Sequence, residues 1–132
     1  MKRVTGVGGV FFKNKDPEKL KEWYVKYLGL ESGPQGQIMF SWLERDKPEK
    51  VGHTIWSPFP EDTDYFEPSK ASFMINYRVE NLNALLQQLK KEGVEVSDRR
   101  FEDDMIGKFG YILDPEGNSI ELWEPAKATT ES

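Results

Sequence analysis

The two halves of this 132-residue chain repeat one order of predicted elements, and that repeat restricts the fold more than any other feature. Residues 4–13 are rich in β-forming side chains. A helical pattern follows, with apolar residues at the spacing of one buried face: Leu20, Trp23, Tyr24, Tyr27 and Leu28. Asp16 is placed to cap this helix and Gly29 to end it. Further strands are predicted near Leu30 and over residues 37–43 and 51–57. The first half therefore predicts a βαβββ unit.

The second half follows the same plan. Residues 71–79 predict a strand, and the helix after it carries four leucines on one face and ends near Gly93: Leu82, Leu85, Leu86 and Leu89. Residues 94–101, 107–113 and 119–123 predict three more strands, with a tight turn at 114–118 before the last. Short segments also match between the halves, since residues 55–58 (IWSP) correspond to 122–125 (LWEP). An α+β fold made of two tandem βαβββ modules is the simplest interpretation.

The length fits a single domain spanning residues 1–132. We expect the first module at about 4–57 and the second at about 71–125. A proline-rich and acidic linker lies between them at about 58–70, with Tyr65 and Phe66 as aromatic anchors. The polar tail, 126–132, is expected to be frayed. The glycines Gly6, Gly8 and Gly9 match no phosphate-binding pattern, so we expect them to allow close backbone approach where the modules meet.

Composition excludes several classes of function. The net charge of −5, with both signs interspersed, gives no basic surface for nucleic acid or for an anionic membrane. No segment has a membrane-spanning length or the pattern of a signal peptide. The absence of cysteine removes thiolate chemistry and is compatible with a reducing, cytoplasmic location. With His53 as the single histidine, a histidine-rich metal site is excluded too.

Two stretches carry a resemblance to a known family: residues 23–30 (WYVKYLGL) and residues 114–123 (DPEGNSIELW). With the order of elements, they identify the chain as similar to small glyoxalase-like and bleomycin-resistance-like members of the vicinal oxygen chelate superfamily. The resemblance implies that eight strands curl into a cup with helices on its outside. It also implies that ligands bind inside the cup and that the chain forms a homodimer.

The resemblance further implies four metal-ligand positions, which fall on Gly9, Thr54, Met74 and Glu121. Of these, Glu121 alone carries a side chain suited to a hard or borderline divalent ion, whereas catalytic metal sites commonly need about three protein ligands. His53 is the candidate replacement, but its neighbour Thr54 is expected to face the cup, so alternation turns His53 away. We therefore expect no resident metal. A divalent ion held by Glu121 and His53 is the alternative.

Other residues are predicted to line the cup. Glu121 either acts as a general base or anchors a ligand, or it is a hydrogen-bonded structural carboxylate. Asn76 and Arg78 share a face with Met74 and converge on Glu121, where Arg78 either holds an anionic ligand or, as we favour, neutralises the carboxylate. Three tryptophans are candidates for an aromatic wall, with core packing as the alternative: Trp42, Trp56 and Trp123.

Three hypotheses of function follow. The leading one is a protein that binds a small organic molecule in an aromatic-lined cup, without a tight metal site. The second is a metal-dependent lyase, isomerase or dioxygenase with a shifted metal site. The third is a structural or regulatory domain whose cup is filled by its own side chains.

Overall fold

The computed structural model describes residues 2–127. The chain forms seven strands and two helices, in the order β1 (Val4–Asn14), α1 (Pro17–Leu28), β2 (Ile38–Leu43), β3 (Val51–Pro60), β4 (Phe73–Val79), α2 (Leu82–Lys91), β5 (Glu95–Asp103), β6 (Gly107–Leu113) and β7 (Ser119–Pro125). All seven strands form one mixed sheet in the order β2-β3-β1-β4-β7-β6-β5. The predicted α+β fold is confirmed.

The sheet has an internal symmetry that matches the predicted duplication. In each half the first strand pairs in parallel with the last, β1 with β3 and β4 with β7. The antiparallel pair β1·β4 joins the two halves at the centre of the sheet. The two halves therefore form one continuous sheet within a single chain.

The prediction of eight strands is wrong by one. The segment expected to form a strand near Leu30 makes a single bridge, between Ser32 and Ile38. Pro34, two residues after Ser32, has no N–H to donate, and the Gly36 amide donates to the Gly33 carbonyl at 3.0 Å to close a turn. The chain thus turns before a ladder is established.

Helix α1 has the predicted caps, and the two helices differ in burial. Asp16 accepts a hydrogen bond from the Lys19 amide at 3.2 Å, and Gly29 ends α1 with a positive φ of 70°. In α2 the residues Leu82, Leu85 and Leu86 are buried, as predicted. In α1 no residue is fully buried, and the apolar face predicted to be buried is partly exposed, with Tyr27 at 61% and Leu28 at 60%. The prediction of a buried face is therefore wrong for α1, where Leu20 and Tyr24 are half-buried and Trp23 is exposed.

Alternation along β4 separates the two faces of the sheet. Tyr77 and Val79 pack beneath α2 in a cluster with Leu122. Met74 packs instead with Phe11 and Phe66 in a second cluster. Since successive strand residues point to opposite faces, Asn76 and Arg78 lie on the side of Met74. We call this concave side the cup; it also carries Glu121 and Trp123 on β7.

The linker is part of the fold. Strand β3 continues to Pro60, three residues beyond the expected end of the first module. Phe66 is 0% exposed, and its carbonyl accepts a 2.7 Å hydrogen bond from the Ser119 hydroxyl on β7. The two aromatic anchors therefore bring the linker onto the cup.

The tail expected to fray falls largely on residues 128–132, outside the described part of the chain. Within residues 2–127, neither helix is long and apolar enough to cross a membrane.

Candidate functional site

Glu121 lies at the centre of the cup and is 2% exposed. Its Oε1 accepts a 2.6 Å hydrogen bond from Asn76 Nδ2 on the neighbouring strand, which pairs with β7 at this position. Its Oε2 accepts a hydrogen bond from the Tyr65 hydroxyl of the linker. Both carboxylate oxygens are therefore held by neutral donors of the chain.

A second layer of side chains supports this carboxylate. The Tyr65 and Tyr111 hydroxyls lie 2.9 Å apart, and Tyr111 is the cross-strand partner of Glu121. The Arg99 guanidinium lies 3.9 Å from the Tyr111 ring centroid and 4.8 Å from that of Tyr65. Burial raises the pKa of both tyrosines, and the charge of Glu121 raises it further. The two phenols therefore stay protonated at neutral pH and remain available as donors.

Glu121, Asn76 and Arg78 are buried polar side chains of the cup, and we call them the polar row. Arg78 lies at the end opposite to Glu121. It is 1% exposed, and its guanidinium lies 5.5 Å from the ring centroid of Trp42 and 5.2 Å from that of Trp123. Its Nε and Nη1 atoms have no hydrogen-bond partner. Across residues 2–127 no carboxylate lies within ion-pair distance of Arg78, so the favoured pairing with Glu121 is not formed. Burial lowers the pKa of Arg78, while the charge of Glu44 acts in the opposite direction.

Glycines make room for this arrangement. A Cβ on Gly8 would collide with Asn76 Oδ1, with Arg78 and with the Trp123 ring. A Cβ on Gly6 or Gly52 would collide with the Trp42 ring. Strand β1 is irregular here, with register shifts against β4 between Val4 and Gly6 and between Val7 and Gly9. The glycine run thus allows close approach where the modules meet, and what approaches is a set of large side chains.

The expected position of Trp56 needs correction. Its ring packs 4.8 Å from Tyr24 of α1 and 5.2 Å from Phe12, on the helix side of the sheet. Ile55 is the β3 residue that packs with the Phe11 cluster. Trp56 pairs with Val10, whereas the next residue of β1, Phe11, belongs to the cup cluster.

Thr54 and His53 are successive residues of β3, next to the edge strand β2. The Thr54 hydroxyl accepts a 2.7 Å hydrogen bond from Trp42 Nε1 and donates to the Val7 carbonyl, so it is not directed at Glu121. His53 pairs with Ser41 of β2, and the neighbouring pair is Gly52 with Trp42. Burial and the charge of Arg78 lower the His53 pKa, and its Nδ1 lies 3.2 Å from the Ser41 hydroxyl.

Among the four metal-ligand positions that the resemblance implies, Glu121 alone carries a carboxylate or imidazole. Gly9 has no side chain, Met74 is 0% exposed among aromatic rings, and both oxygens of Glu121 accept protein hydrogen bonds. In the stretch from residue 2 to residue 127, no three His, Cys, Asp or Glu side chains are grouped closely enough to hold a metal.

Sequence reasoning identified Glu121, Asn76, Arg78, Trp42, Trp123 and Met74, and these lie on or beside the polar row. It did not identify Tyr65, Tyr111 or Arg99. Period-two counting along β6 would have placed Tyr111 beside Glu121. No pattern in the linker indicates the contact made by Tyr65.

Comparison with known proteins agrees with this architecture. The family model of the Glyoxalase/Bleomycin resistance protein/Dioxygenase superfamily matches residues 10–122, and the chain belongs to that superfamily. Its members include proteins of the vicinal oxygen chelate type, as the resemblance implied. The comparison with curated protein sequences found no match.

Solved structures show the same fold. Methylmalonyl-CoA epimerase from Mycobacterium tuberculosis is 22% identical, with a TM-score of 0.61 over 97% of this chain and 93% of that one. A Streptomyces coelicolor methylmalonyl-CoA epimerase in complex with 2-nitronate-propionyl-CoA is 17% identical, with a TM-score of 0.65 over 93% of this chain and 99% of that one. The 2,3-dioxygenase LapB from Pseudomonas sp. KL28 is 18% identical, with a TM-score of 0.60 over 100% of this chain and 44% of its own. At these identities the likeness establishes the fold alone.

Proposed function

We propose that this protein binds a small organic molecule in its cup without a chelated divalent ion. One observation carries the proposal: three buried polar atoms of the cup, Asn76 Oδ1 and the Arg78 Nε and Nη1, have no partner within the chain. Buried polar groups in native proteins are nearly always hydrogen-bonded. A cup filled only by its own side chains gives no account of these atoms, whereas a bound ligand would satisfy them.

In this proposal Glu121 organises the cup and abstracts no proton. Glu121 Oε1 holds the Asn76 side-chain amide through Nδ2, so the Asn76 Oδ1 atom points away from Glu121. Glu121 Oε2 holds the linker through the Tyr65 hydroxyl. The ligand contacts proposed are Asn76, Arg78, Trp42 and Trp123. Trp56 is left out because it packs against α1, and Met74 and Thr54 contribute packing and support.

Equilibrium dialysis against zinc, nickel, manganese and iron(II), followed by elemental analysis, tests the absence of a metal. We expect substoichiometric metal in the wild-type protein and the same content in Glu121→Gln, because the chain supplies no set of three ligands. One tightly held ion per chain, lost in both Glu121→Gln and His53→Ala, would contradict the proposal. That result would support the metal-dependent lyase, isomerase or dioxygenase instead. Thermal-shift screening then tests ligand binding, since any ligand specific to the folded state raises its stability.

We also infer that two copies associate. The support is the partly exposed apolar surface on α1 and on the edge strand β2, where Tyr27, Leu28 and Leu43 are each at least 60% exposed. Large exposed apolar side chains are typical of an interaction site where they form one contiguous patch. Light scattering coupled to size-exclusion chromatography is expected to give twice the 15.3 kDa chain mass, and the double variant Tyr27→Glu, Leu28→Glu the monomer mass. A monomeric wild-type protein contradicts the inference. The cytoplasmic location stays a prediction.

A further inference from the structure

Resting on the proposed function, we propose that the ligand is an organic monoanion whose carboxylate binds Arg78 and whose adjacent hydroxyl or amine donates to Asn76 Oδ1. The starting point is the guanidinium itself, which is 1% exposed with two donors unmet. A buried charged group without partners is costly, and a carboxylate supplies both the counter-charge and the acceptors.

The unmet acceptor and the unmet donors belong to two side chains that meet above Gly8. Asn76 Oδ1 and the Arg78 side chain both reach the space above Gly8 that a Cβ would occupy, together with the Trp123 ring. Asn76 cannot rotate to use its own donor there, because its Nδ2 is held by Glu121 at 2.6 Å. The cup therefore offers cationic donors beside a fixed neutral acceptor. A carboxylate with a neighbouring hydroxyl or amine matches this pattern.

A route to Arg78 is present at one end of the sheet. A cavity of about 270 Å³ is lined by Arg78, by the apolar residues Val79 and Pro125, and by lysines that include Lys47 and Lys50. Glu44, Glu80 and Glu124 line it as well. Lys47 is paired with Glu80 at 3.2 Å, and Glu124 accepts from the Leu82 amide at 2.8 Å. Three carboxylates and three lysines line this cavity, so Arg78 supplies its one unbalanced charge, which matches a monoanion better than a phosphate dianion.

Isothermal titration calorimetry on the full chain tests the proposal with three probes. Mandelate is an aromatic α-hydroxy carboxylate, mandelamide is its neutral match, and inorganic phosphate represents the other anion class. We expect mandelate to bind about tenfold or more tightly than mandelamide, since charge-assisted hydrogen bonds are roughly twice as strong as neutral ones. We expect phosphate to bind more weakly than mandelate. Equal affinity for mandelate and mandelamide, no binding of mandelate, or stronger binding of phosphate overturns the proposal.

Two variants locate the effect at Arg78. Arg78→Met is expected to lose the preference for mandelate over mandelamide while its melting temperature without ligand is at least that of the wild type, because it removes an unpaired buried charge. If the Arg78→Met variant does not fold, Arg78→Lys replaces it, and we expect that variant to keep a reduced preference for mandelate over mandelamide. Arg100→Met is the matched control, since Arg100 is exposed on the outer strand β5 and bonds to Asn83 at 2.8 Å. An unchanged preference in Arg78→Met, or in Arg78→Lys if that variant alone folds, overturns the proposal.

Failure here is distinguishable from failure of the proposed function. If neutral aromatic compounds bind to the wild type and to Arg78→Met alike, the cup binds small molecules and the assignment to Arg78 is wrong. If dialysis finds one tightly held metal per chain, the proposed function fails whatever the anion preference.

Discussion

Replacement of Phe66 with alanine is expected to lower the free energy of unfolding by about 3–5 kcal/mol. The side chain is 0% exposed and packs with Phe11 and Met74 at the floor of the cup. Its ring centroid lies 5.3 Å from that of Phe59. Truncation leaves a cavity at the point where the linker enters the core. Since a domain of this kind has about 5–15 kcal/mol of stability in total, the loss is a large fraction.

Urea unfolding measures this loss, and hydrogen exchange locates it. The Ser69 amide donates to the Phe66 carbonyl at 3.0 Å, so its protection should fall when the linker loosens. Phe40→Ala is the matched control on β2, where the ring is 49% exposed, and we expect it to cost less than about 1 kcal/mol. Equal costs in the two variants would show that the linker does not contribute to the core.

The prediction also bears on the proposed site, because Tyr65 precedes Phe66. When Phe66 holds the linker, Tyr65 reaches Glu121 and closes one side of the cup. A linker released by Phe66→Ala would leave a buried carboxylate with one donor fewer, at a further cost. Stability and the shape of the cup therefore depend on the same short segment.

Much of the fold was predictable because local patterns and long-range packing agree. The leucines of α2 show the helical period and are buried beneath the sheet. The turn at 114–118 forms as predicted, with Asp114 Oδ1 accepting from the Glu116 and Asn118 amides, each at 2.9 Å. In both places the residues that favour the local structure, the leucines of α2 and Asp114 of the turn, are also the residues that the fold requires there.

The site was predictable only in part, because its details depend on irregular backbone. The shifts in β1 near Gly8 change which residues oppose each other, and no side-chain period records them. The packing of Trp56 against Tyr24 of α1 is a contact between distant elements that period-two counting does not include, so Trp56 was placed with Trp123. The contact between Tyr65 and Glu121 joins residues 56 positions apart through a segment without secondary structure, and composition alone does not predict it.

Replacement of Gly8 with alanine is expected to lower the free energy of unfolding by about 1–3 kcal/mol, the usual cost of overfilling a packed interior. The added Cβ would meet Asn76 Oδ1, the Arg78 side chain and the Trp123 ring, and none of these can move freely. Asn76 is held by Glu121, and Trp123 Nε1 donates to the Ile106 carbonyl at 2.8 Å. The strain therefore falls on the polar row that we propose as the ligand site.

Gly33→Ala separates this collision from the general effect of removing a glycine. A Cβ at Gly33 would meet only the far end of the flexible Gln37 side chain. We therefore expect the free energy of unfolding of Gly33→Ala to stay unchanged or to rise by up to about 1 kcal/mol. Urea unfolding followed by the summed fluorescence of the four tryptophans measures the stability of both variants. If Gly8→Ala were as stable as Gly33→Ala, the space above Gly8 would be open enough to accept a methyl group. The tight convergence of Asn76, Arg78 and Trp123, from which the proposed ligand contacts derive, would then be wrong.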